Sequence, residues 1–98
     1  MAAIEKTFYG NANANAIKAK EVSGNSEVDI LTTAGLLWGW STNGTGTGYL
    51  FNDDADDVET NIGHIGTSNM VFQKPVAFSD ALRCKMSNAS SKVVVYYE

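Results

Sequence analysis

The sequence predicts an all-β fold, an antiparallel β-sandwich or jelly-roll-like barrel. Three observations carry this. Short stretches such as Leu82-Arg83-Cys84-Lys85-Met86 alternate apolar and polar side chains, and successive side chains of a strand point to opposite faces. Turns rich in Gly, Asn and Ser separate these stretches, and those residues supply turn conformations. No stretch makes a convincing helix, and seven to nine short strands joined by polar turns describe a sandwich or barrel.

Residues 1–15 differ from the rest. Met1, Ile4, Phe8 and Tyr9 are apolar, and a small polar run, Gly10-Asn11-Ala12-Asn13-Ala14-Asn15, follows. Asn and Gly disfavour the interiors of helices and strands alike. This stretch reads as an N-terminal arm or as a first strand tucked into the same domain. Residues 16–98 form a single β domain.

Ala16-Ile17-Lys18-Ala19-Lys20-Glu21-Val22 alternates as a strand, and Ser23-Gly24-Asn25-Ser26 turns it into Glu27-Val28-Asp29-Ile30-Leu31. Asn43-Gly44 is a strong two-residue hairpin signal. It predicts that Trp38 faces Tyr49 and Leu36 faces Phe51, giving one inner face. By the same alternation Trp38 and Trp40 share a face. Asn52-Asp53-Asp54-Ala55-Asp56-Asp57 is an acidic loop, and Val58 to Ile65 is a strand kinked at Gly63. Pro75 follows Met70-Val71-Phe72-Gln73 and marks an edge or a bend, because proline cannot donate to a ladder. Leu82, Cys84 and Met86 face one way, Arg83 and Lys85 the other. Ser87-Asn88-Ala89-Ser90-Ser91 turns into the closing strand, Lys92-Val93-Val94-Val95-Tyr96-Tyr97-Glu98.

That closing strand is the most informative segment. Val93, Val95 and Tyr97 share one face, and Val94 and Tyr96 share the other. A strand apolar on both faces calls for cover on both sides. In a chain of 98 residues, a domain buries only about 60–65% of its unfolded surface. Val94 and Tyr96 are therefore expected at an interface with another subunit, and Ile4, Phe8 and Tyr9 are arm residues placed to reach a partner.

Composition excludes several classes. The net charge is -4 and the seven Lys and Arg are scattered, whereas nucleic acid and anionic membranes attract grouped cations. No apolar run approaches the roughly 20 residues of a membrane span. Met1-Ala2-Ala3-Ile4-Glu5-Lys6 lacks the basic and apolar regions of a secretory signal, which predicts a chain made in a cytosol. The one cysteine, Cys84, reads as a buried thiol.

Candidate chemistry is sparse, and no catalytic residue, cofactor or metal is expected. His64 is the only histidine and so the only ordinary acid–base candidate; nothing in the sequence gathers Ser68 and Asp80 around it. The acidic loop spaces Asn52, Asp54 and Asp56 like oxygen ligands for calcium. An EF-hand-like loop would need Gly at its sixth position and Glu at its twelfth, where this chain has Asp57 and Gly63. Gly44-Thr45-Gly46-Thr47-Gly48 lacks the phosphate-binding pattern and reads as a hairpin tip. Trp38, Trp40 and Tyr49 read as core, with a sugar-stacking platform as the alternative. Asn43-Gly44-Thr45 and Asn88-Ala89-Ser90 read as turn chemistry.

The chain resembles the small β-rich virion proteins of tailed bacteriophages, in particular head decoration (cement) proteins. The likeness rests on small size, a short N-terminal arm, Gly/Ser/Thr/Asn-rich turns, and the ending Phe78 … Ala81-Leu82-Arg83-Cys84-Lys85 … Ser87-Asn88-Ala89-Ser90-Ser91-Lys92-Val93-Val94-Val95-Tyr96-Tyr97. It implies a trimer on the outside of a capsid, at local three-fold positions, that bridges major capsid protein subunits and braces the shell. The alternative is a tail- or fibre-associated module that binds a host glycan.

Overall fold

The computed structural model describes residues 16–53 and 59–98. Eight strands follow one another: β1 Lys18–Ser23, β2 Val28–Leu31, β3 Gly35–Thr42, β4 Gly48–Asp53, β5 Glu59–Ile65, β6 Met70–Phe78, β7 Leu82–Met86 and β8 Lys92–Tyr97. They form two four-stranded sheets. Sheet A has the order β1-β8-β3-β6, and sheet B the order β2-β7-β4-β5. All pairings are antiparallel.

One pattern generates both orders. β1 pairs β8, β2 pairs β7, β3 pairs β6 and β4 pairs β5. That is the ladder of one long hairpin whose apex joins β4 to β5. Rolling the hairpin brings β3 against β8 and β4 against β7. The result is the connectivity of an eight-stranded jelly roll. Every connection except β4–β5 passes from one sheet to the other.

The predicted hairpin at Asn43-Gly44 is therefore corrected. β3 lies in sheet A and β4 in sheet B, and the segment between them is an arch across the sandwich. Stacked sheets sit about 10 Å apart, a gap that a two-residue turn cannot span. Gly44 and Gly46 both have positive φ, 81° and 78°, as the arch requires. A side chain at Gly46 would run into the Ser91 hydroxyl. The arch lies along the β7–β8 crossing: Ser87 N–H donates to the Thr47 carbonyl at 2.7 Å, and Asn43 N–H to the Lys92 carbonyl at 3.1 Å. The Asn side chains serve these turns. Asn43 Oδ1 accepts from Thr45 N–H at 3.0 Å and Asn88 Oδ1 from Ser90 N–H at 2.9 Å, as their turn reading predicts.

The core lies between the sheets. Leu82, Cys84 and Met86 of β7 and Val95 of β8 are fully buried, as are Leu37 and Leu50. Val93 is 1% exposed, and Tyr97 packs against the same cluster from the margin. The predicted inner face of Leu36, Trp38, Tyr49 and Phe51 is not the one observed. Leu37, Trp40 and Leu50 fill the core instead. Phe51 is buried, but it lies outside that cluster, one position along the strand from core-facing Leu50.

Leu36, ahead of the bulge, and Tyr49, on β4, take the outward phase of their own strands; the separation of Trp38 from Trp40 has its cause at Gly39. The pairing of β3 shifts between Leu37 and Gly39 against both neighbours, so Trp38 is an extra residue. A bulge of this kind breaks alternation and puts Leu37 and Trp40 on one side. Gly39 has φ of 145°, and a side chain there would meet the Met70 carbonyl oxygen. Trp40 then packs edge-to-face on Phe72, with centroids 5.7 Å apart. Trp38 and Trp40 consequently do not share a face.

Candidate interaction surface

The outer face of sheet A departs from the usual pattern of a sandwich, in which the outward side is polar. Alternation on β8 turns Val94 and Tyr96 outward, opposite Val93 and Val95. The register extends the face sideways. Tyr96 lies between Ala19 of β1 and Gly39 of β3, and Val94 lies between Glu21 and Ser41. Beyond Gly39 stands Val71 of β6, and Leu36 stands beside Ala77. Val71 is 77% exposed, and Ile17, just before β1, is 53% exposed. The bulge that sends Trp40 inward leaves Trp38 outward among these residues.

The polar tips on this face are already satisfied. Trp38 Nε1–H donates to Glu98 Oε1 at 2.9 Å. Ser41 Oγ and the Tyr96 hydroxyl share a hydrogen bond of 2.9 Å. Glu98 is itself fixed by paired backbone hydrogen bonds with Leu36, both 2.8 Å. Buried indole and phenol groups need such partners, so covering this face strands neither. A shallow groove of about 370 Å³ continues it past Val94, bounded by Glu21, Thr42 and Lys92. The structure thus places the sequence-predicted Val94 and Tyr96 together on the outward side of sheet A, both half-buried. Ile4, Phe8 and Tyr9 lie outside the described residues.

Sequence reasoning missed Trp38, Leu36 and Val71 as members of this surface. A signal was present: an isolated glycine inside a strand pattern suggests a bulge, and Gly39 is that glycine.

The outer face of sheet B is mostly polar, with one large ring, Tyr49, 46% exposed on it. Arg83 pairs with Glu27 at 2.8 Å and with Asp29 at 2.7 Å. Tyr49 stands between His64 and Lys85 in the register, and its ring meets the imidazole edge-to-face at 5.1 Å. Trp38, Trp40 and Tyr49 therefore occupy three places, the outer face of sheet A, the core and the outer face of sheet B. They do not form a single sugar platform.

Cys84 and Asn52 have surroundings that fit structural roles. Burial pushes the Cys84 thiol from 9.0 up to about 12, far from the lowered values of reactive thiols. Asn52 Oδ1 accepts from the backbone N–H groups of Asp80 and Ala81 at 3.0 and 3.2 Å, and Nδ2 donates to Ser79 at 3.0 Å. That side chain ties β4 to the β6–β7 turn. Residues 54–58 of the acidic loop lie outside the described residues. Among the described residues, no group of three His, Cys, Asp or Glu could hold a metal ion, and no helix is long and apolar enough to cross a membrane.

Comparison of the chain with protein-family models, with characterised proteins and with solved structures finds no match.

Proposed function

We propose that the chain is a structural assembly protein that docks through the outer face of sheet A, and that its setting is the exterior of a bacteriophage capsid. One observation carries the first part: a second apolar sheet face, built around Trp38, Val94 and Tyr96, whose polar tips are internally bonded. Such a face is a surface for association rather than catalysis. The capsid setting rests on the resemblance to decoration proteins. A jelly roll fits it as a fold that recurs in viral capsid domains, though a fold alone does not dictate a function.

On this reading Val94 and Tyr96 sit where neighbouring copies meet, in a trimer that bridges subunits of the major capsid protein. Many copies on one shell make individually weak contacts effective through multivalency. A brace of this kind needs neither catalytic group nor cofactor.

The test is binding to empty, expanded tailed-phage capsids. The chain is expected to bind and to raise the capsid melting temperature. Tyr96→Asp is expected to abolish both effects, while Tyr49→Asp, on the opposite outer face, leaves them intact. Binding that survives Tyr96→Asp unchanged would remove this face from the contact. A chain that binds no capsid at all would remove the setting.

A further inference from the structure

We propose that the chain carries a binding site for an acidic sugar, a single pyranose ring bearing a carboxylate, in the cleft beside Tyr49 on the outer face of sheet B. The cleft measures about 320 Å³ and is lined by Thr47, Gly48, Tyr49, His64, Ile65 and Gly66. It lies on the side of the sandwich opposite the proposed docking face, and its own residues carry the inference.

The strands build the site. Leu50, Ile65, Cys84 and Met86 are buried, so their neighbours Tyr49, His64 and Lys85 point outward. The register sets these three in one row across β7, β4 and β5, with Tyr49 in the middle. Directly opposed side chains on neighbouring strands start about 4.5–5.5 Å apart at Cβ. The His64 imidazole meets the Tyr49 ring edge-to-face. That contact limits the ring's freedom, so a ligand stacked on it costs less ordering entropy. Gly48 and Gly66 leave the end of the row without side chains. A Cβ at Gly66 would meet nothing within 4 Å, so a ligand ring can settle beside Tyr49 close to the backbone.

The polar groups here are open, in contrast to those of sheet A. Trp38 and Tyr96 have their polar tips bonded within the chain. Among the described residues, the Tyr49 hydroxyl makes no hydrogen bond to the protein, and neither His64 nor Lys85 is in an ion pair. A face with bonded tips needs apolar cover alone. An exposed ring with open polar groups around it suits a ligand that is apolar on one side and polar at its rim. A pyranose has that form, with C–H groups on a face that stacks on an aromatic ring and hydroxyls around its edge. A volume of about 320 Å³ stands near the lower end of small-molecule sites, roughly 300–1,000 Å³, and selects one ring over a longer chain of them.

The charge selects an acid. The lining residues include no carboxylate, and Lys85 stands alongside. Glu27 and Asp29 of the same outer face are held by Arg83. A ligand carboxylate accepts hydrogen bonds from the Lys85 ammonium and the Tyr49 hydroxyl, and a bond with a charged partner is the stronger kind. A nucleic acid fits less well, because its phosphates call for grouped cations along a track. One such site binds weakly, and many copies on one particle make it effective. A copy seated by sheet A turns this site outward; that display rests on the docking reading, whereas the site does not.

Two-dimensional amide NMR of the full chain, titrated with methyl β-D-glucuronide and with methyl β-D-glucoside, tests the site. The two probes differ at one carbon, a carboxylate against a hydroxymethyl group. The glucuronide is expected to shift the amides of Tyr49, His64 and Gly66 saturably, and to bind about fivefold more tightly than the glucoside, as one exposed charge pair allows. Lys85→Met is expected to erase that preference. Tyr49→Ala is expected to weaken both sugars about tenfold, as loss of a stacked ring does. Gly66→Phe fills the cleft from an open position with no positive φ, and is expected to block both sugars with the fold retained. The absence of saturable shifts, equal affinity for the two sugars, a preference that survives Lys85→Met, or binding that survives Gly66→Phe would each overturn the proposal. So would acetate binding as tightly as the glucuronide, since the cleft would then read a charge and no ring. Capsid binding is scored separately and is expected to be unchanged in Tyr49→Ala. Sugar binding without capsid binding refutes the docking reading and leaves the site; capsid binding without sugar binding does the reverse.

Discussion

The two outer faces of this sandwich are built on the same eight-stranded hairpin and are opposite in character. Sheet B turns out Arg83 with its carboxylate partners Glu27 and Asp29, together with Lys85, His64 and the single ring of Tyr49. Sheet A turns out Leu36, Trp38, Val94, Tyr96 and Val71. The inner faces are alike, so the difference does not come from what the core needs. A polar outer face is the ordinary solution for a sandwich in water. An apolar one invites cover by a partner, and that contrast is why the proposed docking surface is assigned to sheet A.

The comparison breaks first at the two tryptophans. Trp40 is a core residue and Trp38 a half-buried one on the outer face, although only two positions separate them. Trp40→Ala is expected to cost about 3–5 kcal/mol, as removal of a large buried ring does. Trp38→Ala is expected to cost below about 1.5 kcal/mol in the isolated protein, yet to abolish docking. Urea unfolding of both variants checks the first claim and capsid binding the second. Equal stability losses would mean that the bulge does not divide inside from outside.

Gly39 is the hinge of that division. A side chain there would meet the Met70 carbonyl oxygen, at a φ that L-residues rarely adopt. Gly39→Ala is expected to cost about 3 kcal/mol through strain and overpacking. Gly66→Ala, with nothing within 4 Å of the added carbon, is expected to change stability by less than about 0.5 kcal/mol. A midpoint shift of similar size in both would show that Gly39 is not under steric constraint.

Much of this was legible in the sequence, and the exceptions are instructive. Alternation placed Leu82, Cys84 and Met86 inside and separated Val94 and Tyr96 from Val93 and Val95, because β7 and β8 are regular where those residues lie. Pro75 marked an edge strand because a missing donor can only face outward. Alternation failed between Trp38 and Trp40 because one extra residue inverts the phase of everything beyond it. The hairpin at Asn43-Gly44 failed for a different reason. Turn residues specify that the chain bends, but whether it returns to the same sheet or crosses to the other depends on pairing with β6, β7 and β8, distant in sequence. Of the site, Val94 and Tyr96 were readable from one strand alone. Their neighbours Ala19, Gly39 and Ser41 come from two other strands, and only the register assembles them.

The interior behind sheet B offers a pH test. Cys84 is fully buried, and its thiol is pushed from 9.0 up to about 12. A group whose folded pKa is raised contributes stability that is fully present below its unfolded value and lost as pH rises. The difference in stability between the parent and Cys84→Ala is therefore expected to be flat below pH 9. Between pH 9 and about 12 the parent is expected to lose about 1.4 kcal/mol more per pH unit. Parallel curves for the two proteins would show that the thiol ionises as easily in the fold as out of it.

The smallest effect is expected on the outer face of sheet B. The Arg83 side chain is 26% exposed, and its partners Glu27 and Asp29 are 33% and 59% exposed. Solvent and salt screen such pairs, which leaves typically 0.2–1 kcal/mol each. Part of the arginine's contribution is also the packing of its aliphatic stem. Arg83→Met keeps most of the stem and removes the charge. It is expected to cost about 1 kcal/mol at low salt, less at 1 M salt where the screening length is about 3 Å, and to leave capsid binding unchanged. Loss of binding with stability retained would transfer the docking role to sheet B. A full response at Tyr96 and none at Arg83 would assign that role to the apolar face, since the two residues differ in sheet as well as in chemistry.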